Sequence, residues 1–312
     1  MAELSVIVPF VNEYPQVIFT LQSIAQDLRD RVDFEIIAVD NSCKEIETQG
    51  RQIDKSAGVV AGSTGVSPWL KSLKYEDKLS HWQAKNLAVS HSSGRFLWFC
   101  DAHCIVGRDA LYNMFRYYSD HHEELNGTLH LPLTYKILES RRLIYKLVNN
   151  IESSGEVAYS FTPLRRDDGP FRVPCMSTCG MMMTRGLYDD LGGWPKELGI
   201  YGGGEHFINF TLAVLGRAVN IFPGPPLFHH GEKRGYHWNG DDYTRNRTIA
   251  TYMFGGEALA RKFMAHRKGD RRTLDNILTD VFSRCKDHRV HIKSRQKMSI
   301  EEWLALSDMR HF

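Results

Sequence analysis

Short apolar runs alternate with stretches of helical spacing along most of the chain. Ser5 to Phe10, Ser-Val-Ile-Val-Pro-Phe, is β-rich, and Pro15 then takes a first helical position ahead of Val17, Ile18, Leu21, Ile24, Ala25 and Leu28. Phe34 to Val39 is apolar apart from Glu35 and ends in Asp40-Asn41-Ser42, so strand, helix and strand form a parallel βαβ unit. Gly58 to Pro68, rich in small residues, reads as a short strand running into a loop. Ser80 to His91 reads as a helix leading through Ser92-Ser93-Gly94 to Phe96–Cys100, a run too short for a helix and rich enough in aromatics for a buried strand. A helix after Gly107 carries Leu111, Met114, Phe115 and Tyr118 on one face, and Thr128 to Leu133 is another strand. Glu139 to Asp168 mixes charged and aromatic residues and reads as helix and loop. Met181 to Met183 read as core filler. The glycine-dense loop Leu191 to Gly204 ends where Glu205 opens a helix, and Ala218 to Phe222 is a strand preceding His229-His230.

A chain of 312 residues has room for one main domain with an appendage. The net charge of +2 conceals an asymmetry: Arg261 to Lys297 carries +8 and the remainder −6. No apolar run approaches the roughly 20 residues of a membrane span, and the first residues run directly into a strand pattern. A soluble, cytoplasmic protein is expected. Six cysteines without a Cys-x-x-Cys pair fit reduced, buried thiols better than a disulfide framework or a structural zinc site.

The candidate chemistry sits at strand ends. Asp101 and His103 follow the aromatic strand two residues apart and point the same way in an extended backbone, which outlines a divalent metal site. One carboxylate and one imidazole suit Mn²⁺ or Zn²⁺ better than Ca²⁺, although a polar turn leaves the same pattern. His229 or His230 supplies a third ligand. Asp40 either accepts from a base or ribose or simply forms a turn. Glu205 is either a catalytic carboxylate held ionised at a helix amino terminus or an ordinary first-turn glutamate.

The order of these pieces resembles the GT-A glycosyltransferases, specifically the family 2 class and its polypeptide N-acetylgalactosaminyltransferase relatives. The likeness lies in Ser-Val-Ile-Val-Pro-Phe with Asn12-Glu13, Val39-Asp40-Asn41-Ser42, Lys85-Asn86-Leu87-Ala88, Phe99-Cys-Asp-Ala-His-Cys104, Cys179-Gly-Met-Met-Met, Leu191-Gly-Gly-Trp, Tyr201-Gly-Gly-Gly-Glu205, His229-His230 and Tyr243-Thr-Arg-Asn-Arg247. The resemblance implies an α/β GT-A fold over residues 1–257, a Rossmann-like mixed sheet flanked by helices, with a basic helical extension over 258–312. It implies a UDP-sugar donor and Mn²⁺ or Mg²⁺ bound by Asp101, His103 and either His229 or His230. His230 is slightly preferred, because the Gly-Glu-Lys-Arg after it resembles that family's loop. Asp40, Lys85, Asp101, Arg234, Tyr236 and Trp238 are expected at the nucleotide-sugar, the last three in a mobile lid.

Glu205 falls at a base position in one register of the resemblance and at a positioning one in the other, so inversion and retention both stay open. A hexosyl or N-acetylhexosaminyl transfer is implied. The basic tail suggests DNA as acceptor, through a hydroxymethylated base. Peptide or glycan acceptors and a non-catalytic binding protein are the alternatives.

Overall fold

Two sheets carry the chain in this computed structural model, which describes residues 2–48, 65–136, 141–231 and 236–306. The larger has eight strands in the order Phe171–Val173, Ala218–Ile221, Gly127–His130, Met181–Thr184, Phe96–Phe99, Leu4–Phe10, Phe34–Asp40 and Leu70–Lys74. It is mixed. The last four strands run parallel, while Met181–Thr184 enters antiparallel to both of its neighbours. Leu4–Phe10 and Phe34–Asp40 are buried along their whole length, as central parallel strands covered on both faces must be. Their register, Leu4 opposite Phe34 through Phe10 opposite Asp40, brings their carboxyl ends level.

The smaller sheet has five strands: Cys104–Ile105, Leu227–His229, Leu133–Thr134, Leu143–Asn150 and Glu156–Pro163. Its last two correct the sequence reading. The described part of the Glu139 to Asp168 segment is a β-hairpin joined by the short helix Ile151–Ser154, not the expected helix and loop. Val157, Tyr159 and Phe161 do alternate, but Tyr159 is only partly buried and Phe161 is exposed, so the segment lacks the clean apolar face that marks a strand. Most of Gly58 to Pro68 lies outside the described residues. Pro15 immediately precedes, rather than opens, the helix Gln16–Leu28.

Helices His81–Ser90, Ala110–Leu125 and Gly204–Val214 pack against strands of the large sheet. Gly240–Ala265 breaks at Gly256, where φ is +78°, one residue before the expected boundary at 257. Beyond it, Arg271–Arg284, Lys286–Arg295 and Ile300–Ala305 fold back on the body. The backbone N–H groups of Lys297 and Met298 donate to the Val214 carbonyl at 2.8 and 3.2 Å, and the Trp303 ring meets Phe210 at 6.2 Å. Val281, Cys285, Ile292 and Trp303 join one buried core with the sheet residues. No helix among the described residues is long and apolar enough to cross a membrane.

Candidate active site

A cleft of about 420 Å³ opens beyond the carboxyl ends of Leu4–Phe10 and Phe96–Phe99, where ligands bind in open α/β sheets. One wall is the segment Asp101 to His103. Thr20, fully buried on the first helix, holds this turn: its hydroxyl is shared between the carbonyls of Ala102 and Cys104 (2.8 and 2.7 Å) and accepts from the Cys104 N–H at 3.0 Å.

His229 reaches into the same wall. Its Nε2 lies 3.3 Å from His103 Nε2 and 3.4 Å from Asp101 Oδ2, each pair close to the spacing of ligands that share one ion bound at about 2.1 Å, while among the described residues no three-ligand group within 4.8 Å includes His103. His230 is exposed, and only its backbone N–H takes part, donating to the His103 carbonyl at 2.9 Å. The structure thus brings the His229 ring, and of His230 only the backbone, to Asp101 and His103. Leu227 is fully buried, and two-residue alternation along Leu227–His229 carries His229 inward with it.

Charge is arranged around this wall. Glu13 Oε1 lies 2.5 Å from His103 Nδ1, the carboxylate–histidine pairing that orients an imidazole toward a metal. Burial opposes the charge on His103, yet Glu13 and then Asp101 hold its pKa up, at about 9. Asp101 is held well below the usual carboxylate range. Burial pushes it upward, but Lys85, the hydrogen bond with His229 and the charge of His103 outweigh that. Lys85 Nζ is 3.5 Å from Asp101 Oδ1, buried between the indoles of Trp82 and Trp194 and without a hydrogen-bond partner among the described residues. One oxygen of Asp101 thus faces a fixed cation and the other faces His229. A carboxylate oxygen and two imidazole nitrogens suit Mn²⁺.

Glu205 stands on the opposite wall, in the first turn of Gly204–Val214. Its Oε1 accepts from Ser177 Oγ at 2.9 Å, Thr178 N–H at 3.3 Å and Tyr145 OH at 3.5 Å, and its Oε2 accepts from Tyr159 OH. The two tyrosine rings stack 4.3 Å apart and nearly parallel. Burial first, and the Glu205 carboxylate second, keep both phenols well above their usual pKa and therefore as donors. The loop before Glu205 depends on glycine: Gly203 has φ +77°, and a Cβ there would come 2.2 Å from the Asn246 carbonyl oxygen. Asn246 fixes that loop by accepting from Gly199 N–H and donating to the Tyr201 carbonyl.

The remaining expected residues scatter. Asp40 is buried, its Oδ1 accepts from the Ser42 N–H at 2.8 Å as in a turn, and the adjacent Asn41 lines the cleft. Lys85 lies beneath Asp101 and not on the cleft surface. Tyr236 lines the cleft. Trp238 packs its ring 4.5 Å from Tyr201, and Arg234 lies outside the described residues. Tyr145, Tyr159, Ser177 and Thr20 went unnoticed in sequence, because each contacts a partner between 28 and 84 residues away.

No family profile matches the chain. It is 23% identical over 310 residues to the Drosophila melanogaster protein named polypeptide N-acetylgalactosaminyltransferase 13, covering 93% of this chain and 54% of that one. The chain thus spans about half the length of this curated relative. Among solved structures, GalNAc-T7 with UDP, GalNAc and Mn²⁺ superposes with a TM-score of 0.67 at 16% identity, over 99% of this chain and 57% of the other. The fold is GT-A. A GT-A mannosyltransferase from Pyrobaculum calidifontis, in complex with GDP-Man and Mn²⁺, matches with a TM-score of 0.53 at 17% identity, over 99% of this chain and 82% of its own. The GT-A reading of the sequence thus holds for the fold, and the cleft sits where that fold's parallel strands end.

Proposed function

We propose that the cleft transfers a sugar from a nucleoside diphosphate sugar, UDP-linked as in the resemblance, to an acceptor hydroxyl, with a divalent metal held by Asp101, His103 and His229. The observation that carries the proposal is His229 Nε2 meeting both Asp101 and His103 on the wall of this cleft. When bound, the metal would neutralise charge gathering on the departing nucleoside diphosphate. GalNAc-T7 holding UDP and Mn²⁺ on the same fold supports both donor and ion. Lys85 keeps Asp101 ionised and fixed, Glu13 aims His103, and Asn41 and Tyr236, which line the cleft where Asp40 does not, are the residues open to a bound nucleotide.

Glu205 acts as a positioning carboxylate. Three protein donors converge on Oε1 and one reaches Oε2, which leaves Oε2 suited to hold one sugar or acceptor hydroxyl. Peptide or glycan acceptors fit better than DNA. Within the basic tail, Arg261, Arg267, Arg284 and Arg295 pair with Glu257, Glu156, Asp280 and Asp190, while Arg271 and Arg289 bind backbone carbonyls. Six buried free cysteines fit a reducing compartment such as the cytoplasm.

The test is nucleotide release from a panel of UDP- and GDP-sugars, with Mn²⁺ or EDTA, for the native protein and Asp101→Ala. Peptides, glycans and hydroxymethylated DNA would be offered as acceptors. Metal-dependent release of one donor, lost in Asp101→Ala and stimulated by a peptide or glycan, supports the reading. Stimulation by DNA alone would restore the nucleic-acid acceptor, and silence with every donor and acceptor would leave a binding protein.

A further inference from the structure

We propose that the site also accepts thiophilic divalent cations of the Zn²⁺ class through a ligand set of Asp101, Cys179 and His229. The inference rests on the metal-binding reading of the cleft and adds a sulfur to it. Met181 pairs with Phe99 in antiparallel register, and continuing that register two residues sets Cys179 opposite Asp101. One donor atom each from Asp101, Cys179 and His229 lies within 4.8 Å of the others. Among the described residues the one other such group is Cys100, Cys104 and Cys179, so Cys179 belongs to both.

The surroundings suit a metal-bound thiolate. The Asp101 N–H donates to Cys179 Sγ at 3.4 Å, and the Cys104 sulfur lies 3.3 Å away, a thiol pair in which either sulfur can donate. Cys179 is 1% exposed, which keeps water from competing at that position. Mn²⁺ is hard and binds divalent-metal sites weakly within the first transition series, whereas Zn²⁺ and Co²⁺ take thiolate readily. The hard ion is thus held by oxygen and nitrogen, while a softer ion gains Cys179 on the inner side. On binding, the Cys179 S–H bond breaks, a sulfur–metal bond forms and the proton leaves to solvent, with no change of oxidation state. Zn²⁺ then displaces Mn²⁺ from the cleft rather than binding beside it.

The experiment loads the EDTA-stripped, full-length protein with Co²⁺ and records its absorption. A thiolate-to-cobalt charge-transfer band in the near ultraviolet is expected, absent in Cys179→Ser and retained in Cys104→Ser. In Mn²⁺ displacement followed by electron paramagnetic resonance, Zn²⁺ should compete at least about 10-fold less well against Cys179→Ser than against the native protein. X-ray absorption of the Zn²⁺-loaded native protein needs no variant and should show one sulfur at about 2.3 Å. A first shell of nitrogen and oxygen only, or a cobalt band that survives in Cys179→Ser, would overturn the inference. Either result with Mn²⁺ binding intact leaves the cleft's metal reading standing; loss of all metal binding in the native protein would remove both.

Discussion

His103 stands between the carboxylates of Glu13 and Asp101, and that position predicts how the cleft responds to pH. Burial disfavours its charge, but the two carboxylates hold its pKa at about 9, above its ordinary value, so the metal-free ring is protonated at neutral pH. A metal needs the neutral nitrogen and must displace that proton. Mn²⁺ affinity should therefore rise by at least about tenfold per pH unit from neutrality toward about pH 9, since Asp101 also holds the His229 pKa up against burial and adds a second proton to displace, which a Mn²⁺ titration at several pH values reads directly. Glu13→Gln should weaken Mn²⁺ binding by about 10- to 100-fold without unfolding the protein, because it removes the group that orients the imidazole. Asp101 and His103 were visible in sequence as one short motif. The sequence left His229 and His230 open, and the loop that follows pointed to His230; the burial of Leu227, which turns His229 inward, shows only in the structure. Glu13 stood inside a recognised motif, yet its contact lies 90 residues away and no local pattern announces it.

The elements divide the work between two walls. Strand ends and the Thr20-held turn carry Asp101, His103 and His229, while the hairpin and the glycine loop surround Glu205. Gly203→Ala places a Cβ 2.2 Å from the Asn246 carbonyl at a positive φ, so the loop must shift and Glu205 with it. Nucleotide release should fall at least about 100-fold while Mn²⁺ affinity stays near native, a split that separates the walls. A parallel loss of metal binding would contradict it. The parallel strands were legible because strands buried on both faces read as unbroken apolar runs. The hairpin was not, because its aromatic residues face a polar cleft and Lys146 interrupts the other strand. Tyr145 and Tyr159 earn their place only through Glu205, 60 and 46 residues away.

At the scale of the whole molecule, the tail buttresses the body. Trp303, 6% exposed, packs on Phe210 of the Glu205 helix, so Trp303→Ala should cost about 3–5 kcal/mol in urea unfolding. Destabilisation of that size with little change in the metal-site residues fits a tail that braces Gly204–Val214. If the tail instead served DNA, duplex binding would weaken steeply with salt; with Arg261, Arg267, Arg284 and Arg295 paired to carboxylates of the chain itself, a shallower dependence is expected. The fold was legible from the order of motifs along the chain. The docking of the tail was not, since a run of cations looks the same whether it faces solvent or its own carboxylates.

The most direct test of the metal centre is Mn²⁺ binding, by electron paramagnetic resonance, to the native protein, His229→Ala and His230→Ala. One bound ion in the native protein, an affinity lower by at least about 100-fold in His229→Ala and a near-native affinity in His230→Ala is the predicted result. The opposite pattern, with His230→Ala losing the ion and His229→Ala keeping it, would contradict the site described for this cleft.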